Sequence, residues 1–135
     1  MFELDPRLQN DCHVLAKHND CQILLMNNKT VPWIIIVPET GEIELCELDN
    51  RLQSQVFDTI NILSKYIKTV FNPDKLNIGA LGNVVSQLHI HVIGRYHTDS
   101  AWPKPVWGNI SDKPYTQNEV DKIKIQLLDH LKTYK

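Results

Sequence analysis

Two histidines and one glutamine occupy alternate positions in the segment QLHIHVI, residues 87–93. If this segment is an extended strand, Gln87, His89 and His91 share one face and the aliphatic side chains share the other. Imidazole can act as nucleophile, base or metal ligand near neutral pH without a large pKa shift. The segment therefore predicts a chemical site on one face of a strand.

The composition is typical of one domain with one hydrophobic core. The chain has 135 residues, of which 42% are hydrophobic and 22% are charged, and we treat residues 1–135 as a single domain. The formal net charge of −2 provides no basic surface for a polyanionic backbone. We therefore expect no duplex nucleic acid partner, whereas a small nucleotide needs only a few hydrogen-bond donors.

The cysteines and the first residues predict a cytoplasmic location. Cys12, Cys21 and Cys46 are odd in number and show no C-x-x-C spacing, so we expect three buried, reduced thiols. The acidic start of the chain lacks the features of a secretory signal. The longest apolar runs, such as residues 34–37, are too short to cross a bilayer, so no membrane association is expected.

The first half of the chain is predicted to contain a short helix and three strands, over residues 6–10, 13–16, 21–26 and 33–37. Asp5 is the predicted cap of the helix and Pro6 its first residue. Residues 18–20 contain an Asn-Asp turn that joins the first two strands as a hairpin. The third strand lies between Pro32 and Pro38 and is apolar throughout, which predicts burial on both of its faces.

The second half is predicted to contain a long helix, a strand, the histidine strand, an irregular segment and a final helix, over residues 47–70, 76–80, 87–93, 94–115 and 116–131. The long helix is indicated by apolar residues at spacings of three and four, namely Leu52, Val56, Ile60, Leu63 and Ile67. It is expected to stop at Asn72-Pro73. Thr116 and Glu119 form a predicted capping box. The irregular segment is expected to be held by its own aromatic residues.

The segment 87–93 resembles the histidine triad motif, in which three histidines alternate with apolar residues before two further apolar residues. The resemblance extends over most of the chain. It implies an α+β fold with an antiparallel five-stranded sheet, one long helix and a C-terminal helix, assembled as a homodimer. It also implies cleavage of a nucleotidyl group at the α-phosphate of a phosphoanhydride or phosphoramidate, without a metal or another cofactor.

Six residues take family roles from this resemblance. His89 matches the central histidine, which attacks the α-phosphorus, and His91 matches the last histidine, which contacts phosphate oxygens. Asn83 stands where relatives usually carry a glutamine that contacts the phosphate. Asn27 matches a position beside the ribose. Trp107, together with the neighbouring tryptophan at 102, falls in the stretch that closes over the pocket.

The chain departs from the family pattern at two positions. Gln87 stands where the first triad histidine is expected, and Trp33 stands where relatives often carry a further histidine. Glutamine cannot exchange a proton near neutral pH, but it can orient a neighbour by hydrogen bonding. We expect this orienting role for Gln87, because the nucleophile and the phosphate ligand are both retained. Trp33 is expected to alter the wall of the pocket on the side of the base.

The chemistry needs two further features beside the nucleophile. The second nitrogen of His89 must donate a hydrogen bond, and a backbone carbonyl near it on a strand can accept that bond whatever side chain residue 87 carries. Charge that builds on the phosphate oxygens needs donors. The candidates are His91, the amide of Asn83 and backbone N–H groups near Gly82, where the missing side chain allows close approach.

Two other functions remain open on sequence grounds. His89, His91 and His97 have an H-x-H-x₅-H spacing, and they could hold zinc or iron in a metal-dependent hydrolase or oxygenase. Alternatively, the chain is a module that binds a nucleotide without cleaving it, and Gln87 is the mark of the lost activity.

Overall fold

One antiparallel sheet of five strands forms the centre of the structure, a computed structural model that describes residues 1–134. The strands lie in the order β1-β2-β3-β5-β4. In chain order the elements are α1 Pro6–Asp11, β1 Cys12–His18, β2 Cys21–Met26, β3 Trp33–Pro38, a 3-10 turn Leu45–Glu47, α2 Asn50–Phe71, β4 Lys75–Gly79, β5 Ile90–Arg95 and α3 Gln117–Lys132. The predicted α+β class, the long helix and the C-terminal helix are confirmed.

Side-chain caps set where the helices begin. Asp5 accepts a hydrogen bond from the backbone N–H of Arg7 at 2.8 Å, which starts α1 as predicted. The capping box of α3 is also present. The predicted start of α2 at Glu47 is wrong by one turn: Asp49 accepts from the N–H of Leu52 at 2.8 Å, and Glu47 belongs to the separate 3-10 turn.

Both faces of the sheet are covered. On one face, Ile90 and Val92 of β5 pack in a hydrophobic cluster with Leu63 of α2 and Leu127 of α3. On the other face a smaller cluster joins α1 to residues of β3 and of the segment after β5. Every residue of β3 is buried, which confirms the prediction from its uninterrupted apolar run.

The histidine strand is shorter than its alternating pattern predicts. Pairing with β3 begins at Ile90, opposite Ile36, and His91 lies opposite Ile35. Gln87 is in a bend outside the strand, and His89 lies immediately before the first paired residue. The expectation that Gln87 shares a strand face with the two histidines is therefore wrong, because no neighbouring strand extends far enough to pair with it.

A buried ion pair organises the segment between β5 and α3. The Asp99 carboxylate accepts two hydrogen bonds from Arg95, at 2.9 and 3.0 Å, and others from the backbone N–H groups of Tyr96, Ala101 and Trp102. Although burial alone raises the pKa of Asp99, these hydrogen bonds lower it to about 2. Aromatic contacts also contribute, because the Trp102 ring lies 5.7 Å from the Arg95 guanidinium. The expectation that the segment is held by its own aromatic residues therefore omitted the ion pair between Arg95 and Asp99.

The thiols follow the sequence prediction at two positions of three. Cys12 and Cys21 are buried and Cys46 is exposed, and all three are free. Burial raises the pKa of Cys12 and of Cys21 to about 12. Among residues 1–134, none of the helices combines the length and the hydropathy that crossing a bilayer would require.

Candidate active site

His89 and His91 line a cavity of about 350 Å³ on the face of the sheet that α1 covers. Its wall is formed by α1, the last residue of β2, the start of β3, Trp107 and the segment from Leu81 to Val85. The two histidine side chains are otherwise enclosed, because His89 is 7% exposed and His91 is 5% exposed. This cavity therefore gives access to both imidazoles, and His89 also lines a smaller cavity of about 280 Å³.

The backbone of Gln87 fixes the tautomer of His89. Nδ1 of His89 lies 2.7 Å from the carbonyl oxygen of Gln87. A carbonyl oxygen only accepts, so Nδ1 carries the proton. In the neutral ring, Nε2 then has the unshared electron pair that a nucleophile needs. This confirms the expected backbone acceptor, which does not depend on the side chain at position 87.

Trp33 fixes the opposite tautomer in His91. The indole Nε1–H of Trp33 donates to Nδ1 of His91 at 2.9 Å, and an indole nitrogen can only donate. Nδ1 of His91 is therefore unprotonated, and the neutral ring carries its proton on Nε2. Burial, with a smaller effect of His89, lowers the pKa of His91 to about 4, so the ring stays neutral at physiological pH.

The two rings are packed edge to face and offer complementary chemistry. Their centroids are 5.0 Å apart, and Trp107 contacts His91 edge to face at 5.1 Å. His89 presents a lone pair at Nε2, whereas His91 presents an N–H at Nε2. A ring nitrogen with a lone pair and a hydrogen-bond donor therefore occupy adjacent positions in one cavity.

The side chain of Gln87 holds the N-terminal segment. Its Nε2 donates to the carbonyl oxygen of Glu3 at 2.8 Å, and its Oε1 accepts from the backbone N–H of Asp5 at 2.8 Å. It does not belong to the wall of the cavity that His89 lines. Gln87 orients other residues by hydrogen bonding through two different groups. Its side-chain amide orients residues 3–5, and its backbone carbonyl orients His89.

Gly82 and Asn83 lie in the cavity wall. Gly82 has a φ of +73°, a conformation that glycine adopts without the strain that other residues incur. Asn83 is exposed. The structure therefore places both residues beside the histidines.

Asn27 and Trp107 line a second cavity, of about 480 Å³. Trp107 and Trp33 belong to the walls of both cavities, so the two adjoin. The side-chain oxygen of Asn27 accepts from the backbone N–H of Tyr115 at 2.9 Å and contacts Nε2 of His13 at 3.1 Å. Asn27 thus lies beside the adjoining cavity and ties the segment before α3 to the hairpin.

Sequence reasoning missed the contribution of α1. Arg7, Leu8 and Asp11 line the cavity, as does Met26 at the end of β2. No local pattern in residues 6–11 indicates this, because their proximity to His89 depends on the docking of α1. Conversely, the neighbouring tryptophan at position 102 was expected to close over the pocket, but it is not part of the cavity wall.

The structure does not assemble the three histidines of the metal hypothesis. His97 is 67% exposed and its Nδ1 lies 3.7 Å from the carboxylate of Asp74. Its ring contacts Trp102, at 4.7 Å between centroids. Within residues 1–134, no group of three histidine, cysteine, aspartate or glutamate side chains is arranged to hold a metal ion.

The sheet, the long helix and the paired imidazoles are typical of the histidine triad fold, and comparison with known proteins agrees with this assignment. The HIT domain family matches residues 7–98, and the chain belongs to this family. A histidine triad protein from Marinobacter aquaeolei VT8 is 42% identical with a TM-score of 0.92 and covers 98% of each chain. One from Sinorhizobium meliloti 1021 is 37% identical with a TM-score of 0.91, covering 96% of this chain and 97% of the other.

More distant structures share the fold alone. The diadenosine triphosphate hydrolase of Plasmodium falciparum is 16% identical with a TM-score of 0.62, covering 98% of this chain and 82% of the other. No curated protein matches the chain.

Proposed function

We propose that this protein is a nucleotidyl hydrolase or transferase that cleaves a phosphoanhydride or phosphoramidate at the α-phosphate, with a nucleotidyl-histidine intermediate on His89. The single observation that supports it best is the pair of opposite tautomers. The Gln87 carbonyl leaves Nε2 of His89 as a lone pair, and Trp33 leaves Nε2 of His91 as a donor.

In the first step, the Nε2 lone pair of His89 attacks the α-phosphorus. A phosphorus–nitrogen bond forms, and the bond from phosphorus to the leaving group breaks, with its electron pair passing to the leaving group. A phosphate departs as an anion, and an amine takes up a proton from solvent as it departs. The positive charge that develops on the imidazole is shared through Nδ1–H with the Gln87 carbonyl, 2.7 Å away. Developing charge on the phosphate oxygens is met by Nε2–H of His91, the Asn83 amide and backbone N–H groups near Gly82.

In the second step, water or another acceptor attacks the same phosphorus. The phosphorus–nitrogen bond breaks, its electron pair returns to Nε2 of His89, and the proton of the attacking water passes to solvent. The products of hydrolysis are a nucleoside monophosphate and a neutral imidazole. Attack by a different hydroxyl group in place of water is the corresponding transfer reaction.

The nucleoside is proposed to occupy the adjoining cavity beside Asn27 and Trp107. The two cavities, of about 350 and 480 Å³, are within the size range that binds small molecules. Trp33 and Trp107 offer aromatic surface to a base at the junction. In this arrangement the α-phosphate lies at His89 and His91 while the base and ribose extend toward Asn27.

Intact mass spectrometry after brief, acid-quenched exposure to a dinucleoside polyphosphate or a nucleoside phosphoramidate tests the proposal. We expect an adduct of one nucleoside monophosphate on the unmodified chain and none on His89→Ala. His97→Ala is the matched control, because it removes an exposed histidine outside the cavity, and it should keep the adduct. Nucleotide that binds but yields neither adduct nor free mononucleotide would identify a binding module instead.

A chelation experiment tests the metal-dependent alternative. Activity of protein that has been washed with a chelator, with metal content measured alongside, should equal that of untreated protein. Loss of activity that returns only with zinc or iron would contradict a mechanism carried by His89 alone.

We also propose a homodimer. Phe57 and Val70 of α2 and Ile78 of the edge strand β4 are large apolar side chains that are 64%, 41% and 50% exposed. Unpaired edge strands and exposed apolar residues are typical of surfaces that associate. Light scattering coupled to size-exclusion chromatography should give twice the monomer mass, and Phe57→Glu should lower it to one chain.

A further inference from the structure

Arg7 is a cation in the wall of the histidine cavity to which neither the family resemblance nor the proposed chemistry assigns a role. It lies on α1 and lines the same cavity as His89, His91 and Gly82. Among the described residues of that wall, it is the only lysine or arginine. Because burial lowers the pKa of His91 and keeps that ring neutral at physiological pH, a polyanionic ligand in this cavity has Arg7 as its permanent positive charge.

The guanidinium of Arg7 is not committed to an ion pair within the structure. Arg95 is paired with Asp99 and Arg51 with Asp20. Over residues 1–134, by contrast, only the backbone of Arg7 takes part in a hydrogen bond of its local cap, and its side chain makes no salt bridge. Its five donors are therefore available to a ligand, and a guanidinium matches phosphate oxygens in bidentate geometry.

Gln87 ties the backbone just before Arg7 to the segment that carries His89. The amide of Gln87 makes two hydrogen bonds to the backbone of Glu3 and Asp5, and Asp5 caps the helix turn that carries Arg7. The carbonyl of Gln87 at the same time accepts from His89. One residue thus holds the nucleophile through its backbone and the segment that carries Arg7 through its side chain.

We propose that Arg7 binds the phosphates of the leaving group beyond the α-phosphate, with Gln87 as its positioning residue, so that the protein favours phosphoanhydrides over phosphoramidates. This inference rests on the proposed function. An amine leaving group must gain a proton as it departs, and the glutamine at position 87 cannot supply one. A phosphate leaving group departs as an anion, which a guanidinium stabilises directly.

Two substrates that share a nucleoside but differ in the leaving group test whether Arg7 acts on the leaving group. Diadenosine triphosphate loses ADP, and adenosine 5′-phosphoramidate loses ammonia. Arg7→Gln should lower kcat/KM for diadenosine triphosphate by roughly ten- to hundredfold, the range of a hydrogen bond to a charged group, and for the phosphoramidate by less than about threefold. Arg7→Lys should recover part of the loss. Arg51→Gln, which removes an exposed paired arginine, is the matched control and should change neither.

A binding measurement keeps this inference separate from the cleavage chemistry. The non-cleavable α,β-methylene analogue of ADP carries the second phosphate, and AMP lacks it. Arg7→Gln should weaken the analogue roughly tenfold or more and leave AMP within about twofold. Failure of the His89 adduct with this binding difference intact would refute the proposed chemistry alone. Equal weakening of both ligands, equal losses for both substrates, or no change would refute the role of Arg7.

Gln87→Leu tests the positioning role, because it removes both amide hydrogen bonds and keeps the backbone carbonyl that His89 uses. We expect a higher KM for diadenosine triphosphate, with kcat for the phosphoramidate changed less than about threefold. In the double variant with Arg7→Gln, the losses should not add. Additive losses, or a fall in kcat for both substrates in a variant whose melting temperature is preserved, would overturn the link between Gln87 and Arg7.

Discussion

The neutrality of His91 makes a quantitative prediction about stability and pH. Its pKa in the folded protein is lowered from 6.5 to about 4, so between these values the unfolded chain binds a proton at this residue and the folded chain does not. Protonation of His91 therefore costs no folding free energy above pH 6.5. The free energy of unfolding declines as the pH falls from 6.5 toward 4. The full loss is about 3 kcal/mol, and about 2 kcal/mol of it has occurred at pH 5.

Chemical denaturation at pH 7 and pH 5 measures this loss when a variant without the titrating group is compared. His91→Asn keeps a side-chain acceptor for the Trp33 indole and cannot be protonated. All other titrating groups are common to both proteins. The fall in unfolding free energy from pH 7 to pH 5 should therefore be about 2 kcal/mol larger for the unmodified protein than for His91→Asn.

Nitrogen NMR of the His91 ring provides an independent check. The Trp33 donor predicts an unprotonated Nδ1 and a protonated Nε2 throughout the range from pH 5 to pH 8. Identical pH dependence of stability in the two proteins, together with a ring that becomes doubly protonated near pH 6.5, would refute the argument that burial and the Trp33 hydrogen bond hold His91 neutral.

Three further substitutions test separate contacts. Trp33→Phe removes the donor to Nδ1 of His91, so a second tautomer should appear in the nitrogen spectrum and kcat/KM should fall about tenfold; a single unchanged tautomer would contradict this. Asp99→Asn leaves the buried Arg95 without its counter-charge and should lower the free energy of unfolding by about 3–5 kcal/mol by denaturant titration. An unchanged value would show that solvent reaches the pair. Gly94→Ala would place a Cβ 2.7 Å from Cγ of Pro32 and should cost about 1–3 kcal/mol, whereas Gly41→Ala, with nothing within 4 Å, should be nearly neutral.

The elements of this fold could be predicted from sequence because their signals are local. The apolar spacing of the long helix, the capping box at Thr116 and the apolar run of β3 act over a few residues, and each predicted an element that the structure contains. The predicted ends of helices and strands differed from the structure where a neighbouring strand or a competing cap sets the end. Thus β5 begins at Ile90 because β3 pairs no further, although the alternating pattern continues back to Gln87.

The alternation of His89 and His91 was enough to predict an imidazole site, and residue types alone predicted a backbone acceptor for His89. The state of each ring required the tertiary structure. Trp33 is 58 residues from His91 in sequence, and nothing in the local pattern pairs them. The same holds for Gln87, whose amide partners are 84 and 82 residues away.

Sequence by itself determined the secondary structure, the class of fold and the two imidazoles, because periodicity and caps are properties of neighbouring residues. Only the tertiary structure decided which nitrogen of each imidazole carries the proton and that Arg7 shares their cavity. These features depend on hydrogen bonds and packing between segments that are distant in the chain, and folding alone brings such segments together.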